Sequence, residues 1–170
     1  PTHYTSCSIG AAAAIAAGGA AAISGERDIE RIYSIMTRAA ELGERRGNQV
    51  CGPSVAARMR MNQYFVTHYP SEEAQQMIYQ YTGTGLPSTE SIPAAAALLL
   101  LAKGDPRRCA EFTANIGGDT DTMGAMACGI CGALAGADVF PEEAQQLLSR
   151  VNDIDFEALT DMLIRCVERI

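Results

Sequence analysis

A chain of 170 residues, 48% hydrophobic and 19% charged, is long enough to bury a core without staples and reads as ordered and globular. Its formal net charge of -7, with Arg45-Arg46 and Arg107-Arg108 as isolated basic pairs, excludes nucleic-acid backbones and anionic membranes as partners, because both need clustered Lys and Arg.

Six cysteines, at 7, 51, 109, 128, 131 and 166, fall mostly within apolar helical pattern, and nothing at the start of the chain resembles a secretory signal. They read as reduced, buried thiols of a cytoplasmic protein. Cys128-x-x-Cys131 has no second Cys pair at ligand spacing and lies within a small-residue helix, which makes both packing residues. The opening Pro1-Thr-His-Tyr-Thr lacks an initiator Met and runs straight into an apolar helix, as the C-terminal portion of a longer protein would.

Residues 6 to 24 are mostly Ala, Ile and Gly with no charge before Glu26, a pattern that predicts a helix buried on nearly all sides. Its length approaches that of a membrane span, but the lack of large apolar groups favours a core helix. After Gly25, residues 27 to 46 place Ile29, Ile32, Tyr33, Ile35, Met36 and Ala40 at helical spacing among charges, an amphipathic surface helix. Ser54 to Thr67 reads as a third helix. Ser71-Glu-Glu-Ala carries a helix-start signature and opens a fourth, ending near Tyr81.

Thr82 to Pro93 is the longest Gly/Pro/Ser/Thr-rich loop of the chain and a natural place for a ligand. Pro93 to Lys103 predicts a strongly apolar helix with proline in its first turn, stopped by Gly104. Asp105-Pro106 starts the next, which ends at Gly117-Gly118. Met123 to Ala137 follows as a helix whose Gly124, Gly129, Gly132 and Gly136 call for a closely packed neighbour. Phe140-Pro-Glu-Glu and Asp155-Phe-Glu open the last two helices. No segment alternates like a strand, so the fold is expected to be all-α, a compact orthogonal or bundle-like array of about eight or nine helices.

The run Asn115-Ile-Gly-Gly-Asp-Thr-Asp-Thr122 carries the most chemistry. Asp119, Asp121 and Thr122 offer only oxygen ligands, which suits Mg²⁺, Mn²⁺ or Ca²⁺, and the two glycines let the backbone turn sharply before a helix. By type alone the carboxylates also suit helix caps. Glu90 is an acid or base by type, but at a helix start a carboxylate also serves the dipole. His68 reads as a surface residue.

Extended through Met-Gly-Ala-Met-Ala-Cys-Gly-Ile-Cys-Gly-Ala-Leu-Ala-Gly-Ala137, this run resembles the signature of the ADP-ribosylglycohydrolase family, which includes the dinitrogenase reductase-activating glycohydrolases and crystallin J1. Two further stretches agree: Thr2-His3 with Gly10-Ala11, and Gly83-x-Gly85 with Glu90-Ser91-Ile92-Pro93. The resemblance implies an all-α fold with a centre of two Mg²⁺ or Mn²⁺ ions, where a bond to the anomeric ribose carbon of an ADP-ribose-type adduct is hydrolysed. On it, Asp119, Asp121 and Thr122 match metal ligands. His3, Gly83, Gly85 and Leu86 match residues that line the substrate site.

The family's Thr-Asp-Asp cluster, acidic residue and phosphate loop, placed in an N-terminal half, are not in this sequence. Residues 1–170 are therefore expected to be the C-terminal part of a single domain, with its own N-terminal half as partner and with the catalytic acid or base left unassigned. Gly83 to Pro93 and Val151 to Phe156 look most like a bacterial branch often associated with sugar or nucleoside kinases, which leaves two substrates open, an ADP-ribosylated protein or a free nucleoside or nucleotide metabolite. The competing expectation is a non-catalytic helical module, either a relic that keeps the fold without the chemistry or a fragment that self-associates as a homo-oligomer through its small-residue helices.

Overall fold

The computed structural model describes residues 3–167. Among the described residues there are nine α-helices and no strands. They are α1 (Ser6–Ile23), α2 (Ile29–Glu44), α3 (Val55–His68), α4 (Ser71–Met77), α5 (Ser88–Leu101), α6 (Pro106–Asn115), α7 (Thr120–Ala135), α8 (Glu142–Asn152) and α9 (Phe156–Val167). α4 runs on into a π-helical turn, Ile78–Thr82. The all-α expectation holds.

The chain divides into two compact units, residues 1–135 and 136–170. In the first, α5 is the axis, buried at Ser91 and from Pro93 through Leu101, and α1, α3, α6 and α7 pack around it. Local sequence sets the helix ends. Asp28 accepts from Glu30 N–H at 3.0 Å, Ser54 Oγ from Ala57 N–H at 3.1 Å and Asp105 from Arg108 N–H at 2.7 Å, three side-chain caps that satisfy first-turn donors. In the second unit, Asp155 caps α9 through Ala158 N–H at 2.9 Å, and Gln145 Nε2 donates to Phe140 O at 2.8 Å.

Three expectations are corrected. Helix α5 begins at Ser88, five residues before Pro93, so the proline lies inside the helix. A proline there removes the N–H that would bond the carbonyl four residues back, that of Thr89. Arg58 of α3 fills the gap, its Nη1 donating to Thr89 O at 2.7 Å.

Helix α1 is buried only along Ser6, Gly10, Ala11, Ala14, Gly18 and Ala22. Its neighbours in the first unit, α2, α5, α7 and α3, cover that one side, and Ala12, Ala16 and Ala20 are exposed. By length and composition α1 would also span a membrane, although a third of it packs inside the protein.

The close helix approach predicted for the glycines of α7 is met at Gly124 alone, against α6, and the tighter approach is between α1 and α2. There a Cβ on Gly43 would lie 2.7 Å from Gly10 Cα, whereas Gly129 and Gly132 face open space.

Candidate functional site

Asp119, Asp121 and Thr122 lie where α6 turns into α7. Gly117 and Gly118 both take left-handed φ, 85° and 80°, which L side chains adopt at a cost. The double turn reverses the chain, so α7 returns along α6. A Cβ on Gly124 would meet Thr113 Oγ1 at 3.3 Å. One helical turn further, residue 109 comes opposite residue 128.

A cluster of thiols follows from that register. Cys109 and Cys131 are fully buried and Cys128 is half-buried, whereas Cys51 and Cys166 are exposed, which corrects the expectation of buried thiols throughout. The hydrogen bond with Cys131, then burial, pushes the Cys109 thiol far up, and burial pushes Cys128 up to about 11. Thiols so held stay protonated and unreactive at neutral pH, in keeping with a packing role for the Cys128-x-x-Cys131 pair. Among the described residues no group of three or more His, Cys, Asp or Glu side chains is placed to hold a metal ion.

Helix α7 begins at Thr120, three residues earlier than the pattern of apolar residues suggested, so Asp121 and Thr122 belong to its first turn and Asp119 stands just before it. The Asp119 carbonyl accepts the helical bond from Met123 N–H at 3.1 Å. Its carboxylate accepts from the Thr122 hydroxyl at 2.8 Å. Asp121 and Thr122 are exposed and Asp119 is half-buried. The Asp119 carboxylate and the Thr122 hydroxyl thus meet at the positive end of a helix dipole, with Asp121 in the same first turn.

The predicted substrate loop packs directly against this turn. Asp119 N–H donates to Thr84 O at 2.7 Å, and a Cβ on Gly118 would sit 2.8 Å from the Thr84 carbonyl carbon. Thr84 is itself buried, between Gly83 and Gly85. Leu86 is 82% exposed at the tip of the loop. On the other side of the turn, Gly117 lies near Tyr79, at the end of a groove of about 220 Å³ lined by Gln75, Gln76, Tyr79, Gln80, Asn115 and Ile116.

His3 stands elsewhere in the first unit. It lines an apolar groove of about 630 Å³ with Tyr4, Ile9, Ala12, Ala16 and Arg46, which includes no residue of the Gly83 loop or the Asp119 turn. Its neighbour Thr2 lies outside the described residues.

Sequence reasoning missed two groups that the structure ties to the turn. Glu90 accepts from Gly85 N–H through Oε2 at 3.1 Å, a partner that neither the acid-or-base nor the dipole reading of this residue suggested. Asn62, fully buried, donates from Nδ2 to Pro93 O at 3.0 Å and accepts from the Thr82 hydroxyl. A carboxamide in mid-helix gives no local signal of partners 20 and 31 residues away.

Comparison with known proteins identifies the family. The family model described as ADP-ribosylglycohydrolase matches residues 1–169. A protein of Escherichia coli (strain K12), described as uncharacterized protein YegU, is 37% identical over 166 residues. That match takes in 97% of this chain and 49% of the relative, so the chain spans about half the relative's length. No solved structure matches. With the family model covering nearly every residue, including the Asp119 turn and the loop that holds it, the chain belongs to the ADP-ribosylglycohydrolase family.

Proposed function

We propose that this chain supplies one side of the active site of a metal-dependent glycohydrolase, which cleaves the bond to the anomeric ribose carbon of an ADP-ribosylated protein or a related ADP-ribose or nucleoside metabolite. The observation that carries the reading is the gathering of Asp119, Asp121 and Thr122 on one helical turn, fixed by the Thr122 to Asp119 hydrogen bond and by Thr84. Family membership supports the reaction class.

The donor set fits a hard divalent cation in kind, since all three groups present oxygen. In number it is short, because such ions take about six ligands each. Asp119, Asp121 and Thr122 would hold Mg²⁺ or Mn²⁺ from this side, and two ions with full shells need carboxylates from the rest of the protein. A divalent cation, when bound, orients and polarises the oxygen groups of substrate and water. The chain's own residues do the positioning. The Thr122 hydroxyl fixes the rotation of the Asp119 carboxylate, and the Gly83 to Leu86 loop forms the adjoining wall against which a ribose-bearing substrate would lie.

The shortage of ligands also supports a second reading, a non-catalytic helical module that keeps the fold without the chemistry. Calorimetric titration of Mn²⁺ separates the two, using the chain alone and the chain with the region corresponding to the other half of its relative, in wild type and in Asp119→Ala. Binding that requires Asp119 and tightens when both halves are present supports the hydrolase. Binding absent throughout, or indifferent to Asp119→Ala, leaves the module.

A further inference from the structure

The geometry points to Glu90 as a positioning residue for the metal turn, acting on Asp119 through the backbone of the Gly83 to Gly85 loop. The inference rests on the reading of Asp119 as a metal ligand. A carboxylate in the first turn of a helix ordinarily faces its own helix's free N–H groups. That of Glu90 reaches outward instead, and Oε2 takes the N–H of Gly85 at 3.1 Å.

The loop is wrapped around this carboxylate with no room for side chains. A Cβ on Gly83, whose φ is 81°, would stand 2.7 Å from Glu90 Cδ, and one on Gly85 would stand 3.0 Å from Oε2. Thr84 is held between these two glycines, and its carbonyl takes Asp119 N–H at 2.7 Å. Glu90 and Asp119 are therefore joined by two hydrogen bonds to adjacent residues, Gly85 and Thr84.

Both ends of the loop are anchored in the core. At its start, Gly83 N–H closes the π-helical turn on Ile78 O at 3.2 Å, and the Thr82 hydroxyl donates to buried Asn62. At its end, Arg58 bonds Thr89 O at 2.7 Å and so fixes the helical turn that carries Glu90. With the anchors set, the carboxylate is the group that decides how far the middle of the loop stands from α5, and hence where the Thr84 carbonyl meets the Asp119 turn. In this role Glu90 touches neither metal nor substrate.

Amide hydrogen exchange on the full ¹⁵N-labelled chain tests this, with Mn²⁺ titration in parallel. Glu90→Gln keeps an oxygen acceptor for Gly85 N–H, whereas Glu90→Ala removes it. Protection of the Gly85 and Asp119 amides is expected to fall roughly tenfold or more in Glu90→Ala, to survive in Glu90→Gln, and to stay unchanged at Leu98 and Leu99 in both. Mn²⁺ affinity should follow the Asp119 amide. If Glu90→Ala does not fold, Glu90→Asp, one methylene too short to reach, carries the same comparison. Asp119 protection that is unmoved, or that falls only in step with the core amides, overturns the inference. Failure of the wild-type chain to bind Mn²⁺ counts against the metal reading alone, because the amide comparison decides on Glu90 without it.

Discussion

The N–H of Asp119 donates to the carbonyl of Thr84 across 2.7 Å, and this bond is where the turn between α6 and α7 meets the Gly83 to Leu86 loop. It forms because Gly118 has no side chain. A Cβ there would press to within 2.8 Å of the Thr84 carbonyl carbon on a backbone already at φ 80°. Gly118→Ala combines left-handed strain with a clash against main chain that cannot rotate away. The expected cost is about 1–3 kcal/mol, with loss of divalent-cation affinity at the turn. Thermal unfolding and a Mn²⁺ titration check it, and a variant as stable as wild type would show that the loop yields to the methyl.

Arg58 and Pro93 form a compensating pair, since the guanidinium takes the Thr89 carbonyl that proline leaves without a helical donor. Arg58→Met keeps an apolar stem but strands that carbonyl, at an expected cost of about 1–3 kcal/mol. Pro93→Ala restores a main-chain N–H facing Thr89 O. In a Pro93→Ala background the Arg58→Met cost should therefore shrink to well under half, a coupling that urea unfolding of the four-member cycle would measure. Additive costs would mean that Arg58 works through other contacts.

This pair also marks the limit of what the sequence discloses. The Asp119 turn is legible residue by residue, because two consecutive glycines, a D-x-D-T and a helix start are local features whose consequences are local. The caps at Asp28, Ser54 and Asp105 are legible for the same reason. The early start of α5 is not, since it depends on an arginine 31 residues away supplying what Pro93 removes. Helix α1 was misjudged for a related reason, as composition reports how apolar a helix is and not how many neighbours it has. The role of Glu90 was hidden by its side chain turning away from its own helix.

Gly43 of α2 and Gly129 of α7 should respond in opposite senses to the same substitution. Gly43 faces the backbone of α1, with a Cβ position 2.7 Å from Gly10 Cα, and Gly43→Ala must push two helices apart. A loss of about 1–3 kcal/mol is expected. Gly129 faces open space on the exposed side of α7, where alanine gains helix propensity, so Gly129→Ala should stabilise the chain by about 0.5–1 kcal/mol. Melting temperatures of the two variants decide. Destabilisation at Gly129 would mean that a further helix packs closely there in solution.

Alkaline pH should weaken the fold through groups that are buried in neutral form. Tyr33 is fully buried and donates its hydroxyl to Met59 O at 2.7 Å, and burial raises its phenol far above the ordinary 10.0. The Cys109 thiol is held far above the ordinary 9.0, and Cys128 is pushed up to about 11. Above pH 9 the unfolded chain releases these protons first, so the folded state binds more protons and stability falls as pH rises. The contribution is fully present below the unfolded thiol value and is lost towards the folded ones. Urea midpoints should hold steady from pH 7 to about 8.5 and decline beyond it, while alkylation of native Cys128 accelerates about tenfold per pH unit up to about 11. A midpoint that stays flat to pH 10.5, or a Cys128 that is alkylated as fast as a free thiol at pH 8, would show that the α6 and α7 interface does not hold these thiols protonated.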